Sequence, residues 1–190
     1  SFKEHQNITV HNTMNAYKFN ESSYWVYQKE GSMELDSQRV VMAVDNNFVG
    51  EYPSACSGGA YVHEFRMKVH STFNQSNFDY FIIGSNLYKD LSAAGNHKGR
   101  IILNSNSDFT ENTGTEYVEN IATLSINGNH FSDVKKIRLK VLPDNAAYPN
   151  ISTNEMYFYL VSSIGLIKWE IIEGTTIVET WNLVSWNVIL

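Results

Sequence analysis

The clearest pattern along the chain is the alternation of apolar and polar side chains. Between Tyr61 and His70, one face of an extended chain is mostly apolar and the other carries mostly charged side chains. The segment Asp133–Leu142 repeats this pattern. A period of two is that of a β-strand with one buried and one solvated face. It indicates an antiparallel sheet, because the strands of parallel sheets are usually buried on both faces.

Turn sequences separate these runs at the short spacing typical of all-β domains. The strongest turn signal is Asn127-Gly128, because both residues tolerate the positive φ angles that a two-residue type I′ hairpin requires. Strands are predicted on both sides of this turn and elsewhere along the chain. Besides Tyr61–His70, they are Tyr24–Lys29, Gln38–Val44, Tyr117–Ile126, Asn129–Leu142, Met156–Val161, Leu166–Ile172 and Ile177–Leu190.

One short helix is predicted over Asn86–Ala94, with Asn86 as its N-cap and Gly95 just beyond its last turn. The rest of the chain predicts a single all-β domain over residues 1–190. About ten strands must avoid long open edges, so we expect a strongly curved sheet or β-barrel, with a two-sheet sandwich as the alternative. The curved sheet is favoured because consecutive hairpins predominate.

Composition narrows the classes of function. The chain has 190 residues, 43% of them apolar, and a net charge of −6. This is too apolar for a disordered chain and lacks the basic surplus of a dedicated nucleic-acid binder. The longest strongly apolar run, Met156–Ile167, is shorter than a membrane-spanning helix. Cys56 is the single cysteine and is expected to be an inert, buried thiol, and we expect no cofactor.

Several short segments of the predicted strands and turns form a recognisable series. They are Ser23–Tyr27, Asp36–Val41, Asn127–Val134, Tyr157–Tyr159, Ile164–Glu170 and Trp181–Leu183. Together they resemble uncharacterised cell-envelope lipoproteins of Bacteroides-like bacteria. The resemblance implies an export signal and a lipidated cysteine upstream of Ser1, and hence a location at the outer membrane, in the periplasm or at the cell surface. It also implies that the protein contacts the membrane only through this lipid anchor.

Ligand-binding candidates come from the aromatic residues and one histidine. Trp169, Trp181 and Trp186 could line an apolar cavity or stack on a sugar, although core packing is the simpler interpretation. Trp181 and Trp186 are five residues apart and would face opposite sides of a regular strand unless a bulge intervenes. His63 falls on the apolar face of its strand and could contact a ligand there.

Metal-binding and catalytic candidates are sparse. Asn104, Asn106 and Asp108 place oxygen side chains at alternate positions, as calcium sites do, but no EF-hand template fits. His63 and His70 would point to opposite faces of one strand, which argues against a shared metal. Glycoside hydrolysis would need two carboxylates in one cleft. The strand-borne candidates, expected mainly on solvated faces, are Glu64, Glu119, Glu170 and Glu179.

Three hypotheses follow, and the favoured one is a non-catalytic, exported cell-envelope lipoprotein domain. A lipocalin-like or lipoprotein-carrier-like barrel would bind an apolar or lipid-like small molecule. The second hypothesis is a carbohydrate-binding or carbohydrate-active domain, with glycosidase as the main enzymatic alternative. The third is a structural partner in an envelope complex. A basic stripe, Lys136, Arg138 and Lys140, could meet anionic lipid or polysaccharide, or simply form a solvated strand face.

Overall fold

The computed structural model describes residues 7–50, 60–90, 99–106, 109, 113–144, 146 and 150–190. These residues form one antiparallel sheet that curls into a nearly closed barrel, as the sequence predicts. A short strand, β1, is attached to it by parallel pairing with β4. The strands are β1 Asn7–Ile8, β2 Tyr24–Lys29, β3 Leu35–Gly50, β4 Ala60–Ser71, β5 Ser76–Ile83, β6 Asn86–Asp90, β7 Arg100–Asn104, β8 Thr115–Ile126, β9 Asn129–Leu139, β10 Glu155–Val161, β11 Gly165–Glu173 and β12 Thr176–Asn187.

The topology consists of two meanders joined where the beginning and the end of the chain meet. Strands β2 to β7 pair consecutively, as do β8 to β12, and β12 pairs with β2 to give one continuous sheet. In that central pairing Trp186 lies opposite Trp25 and Trp181 lies opposite Lys29. The edges are therefore β7 and β8, which follow one another in the chain. The barrel is an up-and-down arrangement whose open seam falls between two successive strands.

Side chains join the two edges across this seam. Within the described residues no ladder pairs β7 with β8. Instead, Thr115 Oγ1 donates a hydrogen bond to the carbonyl of Ile101 at 2.5 Å. The Arg100 guanidinium likewise donates to the carbonyl of Gly114. These bonds satisfy carbonyl groups near the seam, where a regular ladder is missing.

A 3-10 helix at Asn12–Tyr17 closes one end of the barrel. Its residues Met14 and Tyr17 are buried in the core. The backbone ties it to two strand turns at this end, because Ser163 donates to the carbonyl of Ala16 and His11 donates to that of Gly84. Interior packing at this end is apolar, so the segment excludes water from the closed side of the barrel.

The strands and turns confirm several sequence predictions, whereas the predicted helix is wrong. Asn127 and Gly128 have φ angles of 50° and 82°, as the predicted hairpin requires. The predicted helix over Asn86–Ala94 does not form as such, because Asn86–Asp90 is strand β6, paired with both β5 and β7. Leu87 and Lys89 alternate toward the interior, and burial in the sheet outweighs the local helix signal. Residues 91–94 and Cys56 lie outside the described residues.

Candidate functional site

The barrel interior opens into a cavity at the end opposite the 3-10 helix. Its volume is about 240 Å³. The mouth lies beside the turn between β4 and β5, which contributes Phe73 and Asn74, and the segment before β10, which contributes Ile151 and Ser152. The remaining lining residues are Asp36, Gln38, Ser71, Ser76, Phe78, Lys89, Met156, Phe158, Leu166, Trp169, Ile171, Glu179 and Trp181.

A pair of stacked indoles forms one wall of the cavity. Trp169 and Trp181 are directly paired neighbours on β11 and β12, so their side chains leave the sheet on the same face. Their ring centroids are 5.4 Å apart and their planes differ by 13°. Tyr27 packs edge-on against Trp169, and Phe73 packs edge-on against Trp181. Each indole thus contacts a further aromatic ring besides its stacking partner.

Glu179 lies in the cavity wall and has two donors. Trp181 Nε1 donates to Glu179 Oε1 at 2.6 Å, and Lys29 Nζ lies 2.7 Å from Oε2. Burial opposes the negative charge, but these two hydrogen bonds outweigh it and keep the pKa of Glu179 below its usual value. The carboxylate therefore stays ionised and its charge is balanced by Lys29.

Asp36 is a buried carboxylate with three protein donors. Ser71 Oγ and Gln38 Nε2 each donate to it at 2.7 Å, and the backbone amide of Phe73 donates at 3.3 Å. Asp36 lies near the start of β3, and Ser71 is the last residue of β4. The carboxylate consequently ties the turn that carries Phe73 to the barrel wall.

Lys89 is the buried cation of the cavity. Its ammonium lies over the rings of Phe78, Tyr80 and Phe158, at 4.1, 5.1 and 5.6 Å from their centroids. It also donates a hydrogen bond to the Tyr80 hydroxyl at 3.3 Å. Burial lowers the pKa of Lys89 from 10.5 to about 8, although the negative charge of Asp36 opposes this shift. The amine is therefore mostly protonated near neutral pH.

Only two of the four residues predicted as ligand-binding candidates line the cavity. Trp169 and Trp181 line the cavity, whereas Trp186 packs against Phe131 with ring centroids 5.5 Å apart. A bulge between Leu183 and Ser185 returns Trp186 to the inner side, which resolves the spacing problem seen in the sequence. His63 does not line this cavity. Its Nε2 lies 2.9 Å from Asp45 Oδ1 in a partly exposed pair.

The sequence pattern missed the charged and polar cavity residues. Asp36, Gln38 and Val40 share one face of β3, and Lys89 shares the inner face of β6 with Leu87. A prediction that considers only alternation assigns polar residues to the solvated face of a strand, even where their side chains point inward. The sequence nevertheless contains a signal for these residues. Asp36 and Gln38 are four and two positions before the apolar Val40, so the alternation along β3 places two polar side chains on the same face as Val40.

Two of the three residues of the predicted calcium site, Asn104 and Asn106, lie within the described residues. Asn104 donates through its side chain to Asn86, and its Oδ1 accepts from the backbone amide of Asn106 at 2.8 Å. This oxygen therefore stabilises the turn after β7. Asp108 lies outside the described residues. Among the residues that are described, no group of three or more His, Cys, Asp or Glu side chains is arranged to hold a metal ion.

The candidate glutamates do not gather in one cleft. Of the four, Glu179 lines the cavity, while Glu170 lies on the opposite face of the sheet with Lys168 and Tyr159. Glu64 pairs with Arg66 and Glu119 with Lys136, on other strands. The expectation of solvated carboxylates is wrong for Glu64 and Glu170, which are buried. Arg66 and Lys168, at 2.9 and 2.6 Å, offset the cost of burying these two charges.

Glutamates also neutralise the basic stripe. Lys136 pairs with Glu119, Arg138 with Glu155, and Lys140 with Glu116. The three pairs cross between neighbouring strands on the outer face. The stripe therefore presents alternating charges rather than a cationic surface.

The chain matches no protein-family profile, and no curated protein is significantly similar to it. Among the described residues, no helix has the length and apolar character needed to cross a membrane.

Proposed function

We propose that the protein binds a small, partly apolar molecule in the barrel cavity and does not transform it chemically. The observation that carries this proposal is a cavity of about 240 Å³ at one end of a barrel whose other end is tightly packed. Its walls combine aromatic and aliphatic side chains with a few fixed polar groups, which is the usual make-up of small-molecule sites.

Cavity size limits the ligand. At about 30 Å³ for each water in the liquid, the volume corresponds to about eight waters. A molecule of about ten non-hydrogen atoms would fill it and reach the mouth. This favours medium-chain or single-ring compounds over long-chain lipids.

A sugar ligand is less favoured than an apolar one. Sugar sites typically use an open aromatic face, whereas Trp169 and Trp181 are buried and pack against Tyr27 and Phe73. The carbohydrate hypothesis is nevertheless tested in the same experiment by including glucose.

The test compares the wild type with a variant whose cavity mouth is filled. Ile151→Trp enlarges a half-buried side chain at the mouth, whereas Val178→Trp adds the same ring at an exposed position on β12. Calorimetry with octan-1-ol, octanoate, 3-phenylpropionate and glucose should detect one-to-one binding of an apolar or amphipathic compound. Binding should be lost in Ile151→Trp and retained in Val178→Trp. Absence of binding in the wild type, or equal binding in both variants, contradicts the proposal.

A location at a bacterial cell envelope is part of the proposal and is supported by the motif resemblance. Expression of the full-length gene product followed by membrane fractionation tests it. We expect the protein in the envelope fraction with a lipidated cysteine detectable by mass spectrometry. Recovery of an unlipidated protein in the cytosol contradicts this location.

A further inference from the structure

We propose that the ligand is a monocarboxylate and that Lys89 binds its carboxylate group inside the barrel cavity. This inference rests on the proposed function, because it assigns the chemical class of the molecule that the cavity takes. It starts from a difference in the direct hydrogen-bond and ion-pair partners of the charged groups in the cavity wall.

Both carboxylates of the wall already have donors. Asp36 accepts from Ser71, Gln38 and the Phe73 amide, and Glu179 is bound by Lys29 and Trp181. Neither needs a cationic ligand to compensate its burial. A basic ligand would therefore have to compete with existing hydrogen bonds.

Lys89 differs from these carboxylates. Within the described residues its ammonium forms no ion pair, and its contacts are three aromatic rings and the Tyr80 hydroxyl. An ammonium can donate three hydrogen bonds, so donor capacity remains. A buried cation without a carboxylate partner gains from an incoming anion, since the attraction is stronger where water is excluded.

The surroundings of Lys89 determine the rest of the ligand. Phe78 and Phe158 flank the ammonium, and Met156, Ile171 and the indole of Trp169 continue the apolar wall toward the mouth. An alkyl chain or a single aromatic ring can occupy this space once the carboxylate is bound. The cavity volume limits such a body to a medium-chain or aryl acid.

The nearby carboxylates add selectivity. Asp36 acts electrostatically on Lys89, and Glu179 faces the same cavity. A second negative group on the ligand would meet these charges without a free cationic partner, so dicarboxylates should be rejected. One carboxylate and an apolar body is the combination that the cavity accommodates.

Calorimetry at pH 7 with four eight-carbon probes tests the inference: octanoate, octan-1-ol, octylamine and octanedioate. We expect octanoate to bind about tenfold or more tightly than octan-1-ol, because the ammonium then donates to a charged carboxylate and not to an uncharged hydroxyl. Octylamine and octanedioate should bind more weakly than octanoate. In Lys89→Met the preference for octanoate over octan-1-ol should disappear while octan-1-ol still binds. Lys140→Met, which removes a surface lysine paired with Glu116, should behave as the wild type.

The outcomes separate the inference from the proposed function. If octan-1-ol or octylamine binds as tightly as octanoate to the wild type, the carboxylate assignment is wrong although the cavity binds ligands. If Lys89→Met retains the octanoate preference, Lys89 is not the receptor. If none of the probes in either experiment binds, the proposed function itself fails.

Discussion

Trp169 and Trp181 stack across neighbouring strands, with ring centroids 5.4 Å apart, and Trp181 is almost completely buried. The pair joins the hydrophobic core to the wall of the cavity, and Trp181 additionally donates a hydrogen bond to Glu179. This single contact therefore supports both the stability of the barrel and the shape of its open end.

Trp181→Ala should lower the free energy of unfolding by about 3–5 kcal/mol, since it removes a large buried ring and leaves a hole. Trp181→Phe should cost less, because it keeps ring packing while losing the bond to Glu179. Urea unfolding measures both effects. Trp186→Phe is the control, since Trp186 is partly buried and packs at the edge of the core. An equal loss for Trp186→Phe and Trp181→Ala would contradict this account.

The barrel fold follows from local signals in the sequence to a large extent. The alternation between Tyr61 and His70 corresponds to β4, and the Asn127-Gly128 turn joins β8 to β9 as predicted. Each depends on neighbours in the chain, so a local pattern suffices. The pairing of β12 with β2 is different, because it joins residues more than a hundred positions apart and depends on closure of the whole sheet.

The candidate site was harder to predict for a physical reason. A cavity wall places polar groups at inward positions, and this breaks the alternation that identifies a strand. Lys89 illustrates the effect: it lies in the segment that Asn86 and Gly95 predict as a short helix, whereas in the structure its ammonium lies over three aromatic rings. Trp169 and Trp181 were found because aromatic residues suit both a core and a cavity.

The buried charge of Lys89 predicts a pH-dependent stability difference. Its pKa falls from 10.5 to about 8 on folding, so the folded state binds fewer protons than the unfolded state between these values. Charge burial therefore destabilises the protein fully below about pH 8, and the penalty fades as the pH rises toward 10.5. Tyr80, which faces the amine, has a raised pKa and stays neutral in this window, while Glu179, whose pKa is lowered, stays ionised.

Lys89→Met should therefore be more stable than the wild type at pH 7. Removing the buried charge should raise the free energy of unfolding by up to about 3 kcal/mol, and losing the contacts between the ammonium and the aromatic rings should reduce this gain. The advantage should shrink by pH 10. Urea unfolding of both proteins at pH 7 and pH 10 measures the difference in their free energies of unfolding. The titration of the other lysines and tyrosines is common to both proteins and cancels in this difference. A variant less stable than the wild type at pH 7 would show that the aromatic contacts outweigh the desolvation cost.

Asp36 is expected to hold the turn at the cavity mouth. Asp36→Ala leaves the donors of Ser71, Gln38 and Phe73 without their acceptor and should cost about 2–4 kcal/mol. Amide hydrogen exchange at residues 72–75 should accelerate more than exchange in β11. Asp45→Ala is the matched control, because Asp45 is largely exposed and its pairs with Lys18 and His63 are worth less than about 1 kcal/mol. Similar losses in the two variants would rule out a special role for Asp36.

The seam between β7 and β8 offers a matched test of barrel closure. Thr115 Oγ1 donates to the Ile101 carbonyl across the seam, and Thr115→Val removes this bond while preserving the β-branched shape. The expected loss of stability is about 1–2 kcal/mol, because the hydroxyl and its partner are buried. Thr123→Val, at an exposed position of the same strand, should change stability by less than about 0.5 kcal/mol.

Hydrogen exchange distinguishes a local loss from an opened seam. If side-chain bonds close the barrel, amides of Arg100–Asn104 should exchange faster in Thr115→Val, since β7 is paired by its ladder to β6 alone. Amides of β2, in the middle of the sheet, should exchange as in the wild type. Faster exchange throughout the barrel would mean that the Thr115 hydrogen bond contributes to global stability without closing the seam. Unchanged exchange in β7 would mean that other contacts hold this edge.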